Sequence, residues 1–363
     1  MSQQLSFEVL ELYLAVESQI LANIAASLVA NEDVFTEDNI LSWQVKQLSM
    51  IGKLNQQNLQ VIAEMSGMAL EKVIELLETA GYTAANQQDV NLRSAVVAGL
   101  VLSPPAVQAS QALVGILEMY VSQAKDTMNI INTTMLTQSE QIYLDIITQT
   151  TAKVLAGTTT PQQARTEVAA KWAEQGVPAL VDKAGKKWST EAYVNMTVRT
   201  MSNKVSNDMQ FERIKEHGVD LIEVSSHLGA RPKCAKDQGK IYSLSGKSKK
   251  YAAWSSTSYG EPDGLLGINC RHIIYPFVEG LSKQTYSPYD ATINEQAYEA
   301  SQVQRKLERD IRKAKRQLQM VEQLGNDEQI ASAKAKVRSR QQNMRDFISS
   351  TGRTRRRDRE QIA

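Results

Sequence analysis

Apolar positions spaced three and four residues apart dominate the first part of the chain. Phe7, Leu10, Leu14, Leu21, Ile24 and Leu28 fall on one helix face. Thr36 followed by Glu37 and Asp38 predicts an N-cap with an acidic first turn, the charge favoured by the positive end of a helix dipole. The helix it opens would carry Trp43, Leu48, Ile51 and Leu54. Further helical patterns run through 73–77, 113–121 and 142–154. Thr160-Pro161 supplies a cap and a proline at the first helical position, and Gly176 with Pro178 supplies the stop. A longer helix is expected over 190–216, ended by Gly218.

Beyond Gly218 the period changes. Residues 221–226, 240–244 and 272–277 read as strands, with the turn-rich stretch 255–267 between the last two. From about 295 the helical period returns, with Leu307, Ile311, Ala314, Leu318 and Val321 as a heptad-like seam. Gly325-Asn326-Asp327 breaks it, and Ile330, Ala333, Val337, Met344 and Ile348 form a second seam suited to an antiparallel hairpin. The expected fold class is α+β, predominantly helical, in three parts. These are a helical docking region over 1–156, a small α+β module with a short sheet over 157–290, and a basic helical hairpin over 291–363. The hairpin ends in an Arg-rich tail expected to be mobile when unbound.

Charge sharpens this division. The net charge of +1 hides an excess of 17 Lys/Arg over 8 Asp/Glu in 301–363, against 24 over 32 in the remainder. The basic end is therefore a candidate for nucleic acid, the acidic remainder for protein. No basic residue precedes Lys46, so the first turns lack the basic segment a secretory signal needs. The longest uncharged run, 94–117, contains Pro104-Pro105 and reads as two helix ends meeting at a turn. No membrane partner is expected. Two cysteines rule out a disulfide framework and make a reducing cytoplasm the expected place of synthesis.

Four of the five His and Cys residues, His227, Cys234, Cys270 and His272, crowd into one stretch. Two thiols and two imidazoles are the donor set of a tetrahedral structural zinc site. One residue separates Cys270 from His272, which on a strand would put both side chains on one face. The same residues also suit two buried cysteines with two hydrogen-bonded histidines, a Cys234–Cys270 disulfide, or a Cys–His nucleophile. No HExxH spacing offers a catalytic metal with its base. In the tail, Arg353, Arg355, Arg356, Arg357 and Arg359 are candidate contacts to phosphates, read without regard to base sequence. A solvated basic surface or a contact with acidic protein explains them as well.

Two stretches carry a resemblance: SSHLGARPKCAKDQGKIYSLSG at 225–246 and YGEPDGLLGINCRHIIYPFVEG at 259–280. Together with the run KWAEQGVPALVDKAGKKWSTEAYVNM at 171–196, they resemble the tailed-phage minor capsid proteins of the minor capsid protein 2 group. They are more distantly similar to the phage Mu F-like head-morphogenesis family. Arg231, Cys234 and Gly239 match that family's Arg-x-x-His-x-x-x-x-Gly with Cys in the His place. Asn269-Cys270-Arg271-His272 matches its Asn-Cys-Arg-Cys with His in the last place, and both exchanges keep a zinc-ligating side chain. The resemblance implies a virion head protein present in few copies, partnered by the portal protein and other head proteins, and in some relatives by packaged double-stranded DNA. Some Mu F-like proteins carry C-terminal effector enzymes. Here roughly 80 residues follow Gly280 and read as a hairpin, so neither catalysis nor a small-molecule substrate is expected.

Overall fold

The computed structural model describes residues 2–362, with side chains from Leu5 onward. Nine α-helices occur among the described residues: α1 (Ser2–Leu28), α2 (Ile40–Ser49), α3 (Ile51–Val97), α4 (Gln111–Leu155), α5 (Pro161–Gln175), α6 (Thr190–Glu216), α7 (Pro232–Ala235), α8 (Ala291–Leu324) and α9 (Asp327–Thr351). Six short strands accompany them: β1 (Pro178–Val181), β2 (Lys187–Ser189), β3 (Leu221–Val224), β4 (Ile241–Ser243), β5 (Ala252–Ala253) and β6 (Ile274–Phe277). The protein is thus predominantly helical α+β, as its period implied. It divides into two compact units, each assembled from segments far apart in sequence.

The first unit comprises the chain up to Val9, Leu70–Asp126 and Asn195–Gln302. Its sheet has the order β5-β4-β3-β6. β3 pairs antiparallel with β4 (Ile222 opposite Tyr242) and with β6 (Glu223 opposite Tyr275), while β5 runs parallel to β4. Leu92 of α3, Ile214 of α6, and Ile222, Val224, Trp254 and Ile274 around the sheet form one core. Gly81 lets α3 and α6 approach, because a Cβ there would strike Met209 Sδ. A polar clamp holds the ends of these helices. Buried Arg213 takes both carboxylate oxygens of Asp89 and one of Glu216, and His217 bridges Asp89 to the carbonyl of Leu102. Asp89 is drawn up by burial, but hydrogen bonds from Arg213 and His217 prevail and hold its carboxyl below the usual range.

The second unit comprises Leu10–Ala69, Thr127–Val194 and the chain from Val303. In α1, Ile20, Ile24 and Leu28 are fully buried, and Tyr13 reaches Met128 and Asn132 of α4. Residues 5–28 are long and apolar enough to cross a membrane by composition, yet half of that window is buried within the fold. Phe7, expected on the same face, is instead exposed. The expected cap at Thr36 is displaced: α2 starts at Ile40 with Asn39 as its flanking residue, whose amide bonds Thr36 Oγ1. α2 buries Trp43 and leaves Leu41, Val45 and Leu48 exposed, and it ends before Ile51 rather than continuing through Leu54. α5 and α6 begin and end where their caps and glycines placed them, with Thr160 Oγ1 accepting from Gln163 N–H. Between them lies a β1–β2 hairpin that the helix-stop signals concealed, its turn tied by Asp182 to the N–H groups of Ala184 and Lys186. Buried Arg316 of α8 donates to the carbonyls of Ala173 and Glu174 at the end of α5.

α8 and α9 form the expected antiparallel hairpin. Val321 and Ala333 share a small core with Ala170, and Lys336 reaches back to Gln317. Asn326 and Gln329 close the turn with a reciprocal capping box. The Arg-rich end, expected to be mobile, is folded back on α8: Arg353 donates to Gln304, and Gln304 donates to the carbonyl of Thr354.

Candidate functional site

Cys234, Cys270 and His272 converge in the first unit, and their ligand atoms all lie within 4.8 Å of one another. Cys234 enters from α7, a single turn started by Pro232 after Arg231. Cys270 and His272 come from the extended chain just before β6 rather than from the strand itself. One intervening residue still sets them side by side, with Cys270 Sγ 3.2 Å from His272 Nδ1 and 3.9 Å from Cys234 Sγ. The loop 258–270 wraps this corner tightly. The carbonyl of Gly264 accepts from Cys234 Sγ and from Arg231, and a Cβ on Gly264 would collide with the carbonyl of Ser258. All three ligand residues are buried.

Gln238 sets the chemistry of His272. The backbone N–H of His227 can only donate, so the Gln238 atom 3.0 Å from it is the amide oxygen. That same oxygen lies 3.1 Å from His272 Nε2, which must therefore carry the proton. In the neutral imidazole this leaves Nδ1 with a lone pair facing the sulfurs, whereas the protonated ring donates Nδ1–H to Cys270 Sγ. A carbonyl acceptor on the far nitrogen is the arrangement that fixes a metal-binding imidazole.

Of the two thiols, Cys270 is held well below the usual range by the hydrogen bond from Cys234, with His272 adding to it against burial. The same bond and burial push Cys234 up. Cys270 Sγ also accepts from Leu266 N–H at 3.2 Å. A low thiol beside an imidazole is half of a nucleophile, here buried, with Cys270 and His272 7% and 1% exposed. Both cysteines are free. Zn–S bonds of about 2.3 Å imply tetrahedral edges of about 3.8 Å, close to the observed sulfur separation. The donor set therefore fits a zinc ion with three protein ligands. His227, expected as the fourth, stacks on His272 at 4.4 Å between ring centroids instead of converging, and its pKa is lowered by burial and by that neighbour.

The tail arginines are unequally engaged. Arg355 grips both oxygens of buried Glu360 and Arg353 is bound to Gln304. Arg356 faces Asp358 at 3.8 Å on the surface, a pairing worth little. Arg357 is exposed, and the carbonyl of Arg359 accepts from Arg312.

The sequence model of the family described as phage minor capsid protein 2 matches residues 2–349. The chain belongs to that family. A structural protein of Lactococcus phage LL-H is 28% identical over 355 residues, covering 93% of this chain and 94% of that one. A structural protein of Lactococcus phage mv4 is 37% identical over 115 residues, covering 31% of this chain and 94% of that one. No solved structure matches.

In this minor capsid protein, sequence reasoning missed Gln238, whose amide oxygen accepts from His272 Nε2 and from the His227 N–H. Its signal was a long amide lying between Cys234 and Gly239 in the very stretch that carries the family likeness. The excess of basic residues in 301–363 was legible, but not which of them α9 exposes: Lys334, Arg338 and Arg345 extend the basic surface beyond the tail.

Proposed function

We propose that this minor capsid protein sits in the phage head beside the portal, bound to head proteins through its helical N-terminal region and to packaged double-stranded DNA through its basic hairpin. The observation that carries the reading is the set of exposed cations Lys334, Arg338, Arg345 and Arg357 on α9 and the C-terminal segment, of which Lys334 alone meets a carboxylate among the described residues, in a chain whose remainder is net acidic. A surface of that kind neutralises phosphates without reading bases. The docking part has its own support. Leu41, Val45 and Leu48 sit at helical spacing on α2 and are exposed, so they offer an apolar stripe to a partner. The apolar face of α1 is already covered and cannot serve. Zinc held by Cys234, Cys270 and His272 would tie α7 to the chain entering β6 and contribute folding energy there.

The test is duplex binding by the full chain across a salt series. Affinity should fall steeply with salt and be indifferent to sequence; no binding at 50 mM salt would refute the DNA reading. Quantitative mass spectrometry of purified particles checks the location, and absence of the protein from heads would overturn it. Elemental analysis of protein purified without chelator should find close to one zinc per chain.

A further inference from the structure

In the second unit, α8, α9 and the C-terminal segment enclose a cleft of about 300 Å³, lined by Lys315, Gln341, Arg345, Arg355, Arg357 and Glu360. Four of these side chains are cationic and one is anionic. Glu360 is already neutralised by Arg355, through both carboxylate oxygens. That leaves a net charge of +3 in the cleft, and the other three cations hydrogen-bond no carboxylate among the described residues. Lys315 Nζ donates to the amide oxygen of Gln361 at 2.6 Å, and Arg345 donates to Gln342 at 2.6 and 3.0 Å. Arg357 has no carboxylate partner among the described residues. Burial pushes the Lys315 ammonium down, with Arg355 and Arg312 adding and Glu360 opposing. The floor, Glu360 and Lys315, is thus at least half-buried, and the rim, Arg345 and Arg357, is exposed. Like charges gathered without a counter-charge are what an entering anion relieves.

The surroundings indicate a polymer. Lys334, Arg338 and Arg345 are exposed on α9 at offsets of four and eleven residues, which at 100° per residue places them within about 40° on one face. They span about 16 Å along the helix axis, enough for several phosphates of a duplex, and Arg345 ends the row inside the cleft. The pairing of Lys334 with Glu322 is exposed and weak. We propose that the cleft binds a phosphate group of a polynucleotide backbone and anchors one end of this row. The proposal rests on the reading that the basic hairpin faces DNA.

The experiment compares full-length wild type, the cleft variant Arg345→Ala/Arg357→Ala and the charge-matched control Lys334→Ala/Arg338→Ala. Each is titrated with a 30-base-pair duplex across a salt series and, separately, with inorganic pyrophosphate. All four positions are exposed, so both variants should fold, and thermal melts verify it. The cleft variant should lose at least tenfold in duplex affinity, with its salt slope reduced by about 2, and pyrophosphate should compete with the duplex on wild type only. The control should lose clearly less affinity. Equal losses in the two variants would overturn the cleft while leaving the basic surface as a DNA contact. If wild type binds no duplex, the DNA reading fails. Pyrophosphate binding abolished in the cleft variant would then show a site for small phosphates, and its absence would overturn the cleft as well.

Discussion

Replacing Gln238 by Leu tests the candidate metal centre without touching a ligand. The amide oxygen of Gln238 accepts both the His272 Nε2–H and the His227 N–H. Leucine has similar bulk and accepts neither. His272 is 1% exposed, so its Nε2–H would be stranded, at a cost of about 1–3 kcal/mol. The His227 N–H is only partly buried and finds water more readily. Against this, the amide nitrogen of Gln238 is itself buried without a partner, and its removal returns part of the loss. A net destabilisation of about 1–2 kcal/mol follows, measurable as a lower urea midpoint at unchanged slope. The sharper readout is metal: with its tautomer no longer fixed, the imidazole should bind zinc roughly 10–100-fold more weakly, read by competition with a chromophoric chelator. Gln238→Glu keeps an acceptor and should recover most of that affinity. If Gln238→Leu binds zinc as tightly as wild type, the positioning argument is wrong. If wild type binds none, the metal centre itself is wrong and only the stability change should remain.

Two further outcomes follow from the packing. Arg213→Met removes the buried partner of Asp89 and Glu216, and should cost about 3 kcal/mol, the lower end for a broken buried pair, because Asp89 is one-third exposed and partly screened. The depressed carboxyl of Asp89 contributes stability above its ordinary pKa near 3.9 and loses it as pH falls through the folded value. Stability–pH curves should therefore be flatter below about pH 4 in the variant, and parallel curves would contradict this. Leu41→Asp/Val45→Asp places charges on the exposed stripe of α2 and should leave thermal stability within about 0.5 kcal/mol while reducing incorporation into heads. Normal incorporation, counted by mass spectrometry, would remove the docking role.

Local chemistry that terminates an element was legible in the sequence, and distant chemistry was not. Thr160-Pro161, Gly176 and Gly218 fixed the ends of α5 and α6 because caps and left-handed glycines act within one turn. Asn326 did the same for the hairpin. The three scattered helical patterns at 73–77, 113–121 and 142–154 merged into two helices of 47 and 45 residues, since single glycines inside a well-packed helix are tolerated. Trp43 and Leu54 were found as core, but the break between α2 and α3 was not, because no proline or glycine sits at Met50. At the candidate site, Cys234, Cys270 and His272 were recognisable from residue type alone. The position of His227 depends on a stacking contact, and that of Gln238 on an eleven-residue reach, neither of which spacing encodes. The tail was expected to be mobile when unbound because chain ends are commonly poorly ordered, whereas its order comes from Gln304 and Glu360, residues that carry no such label.

The assembly of each unit from separated segments bears on how the chain matures during translation. In the second unit, Thr166 Oγ1 waits for the carbonyl of Leu324, 158 residues downstream, and buried Glu17 waits for Arg316. In the first, Arg213 must find Asp89, 124 residues upstream. Contacts of such range form late and slowly, since loop closure must precede the interactions that repay it. Neither unit is therefore complete while the ribosome is still short of α8. α1 and α4 can cover one another as soon as α4 is made, through Tyr13 with Met128 and Asn132, but the surfaces that α8 covers stay open until the last part of the chain is synthesised. A chain that stops before α8 leaves Glu17 without Arg316 and Thr166 without the carbonyl of Leu324.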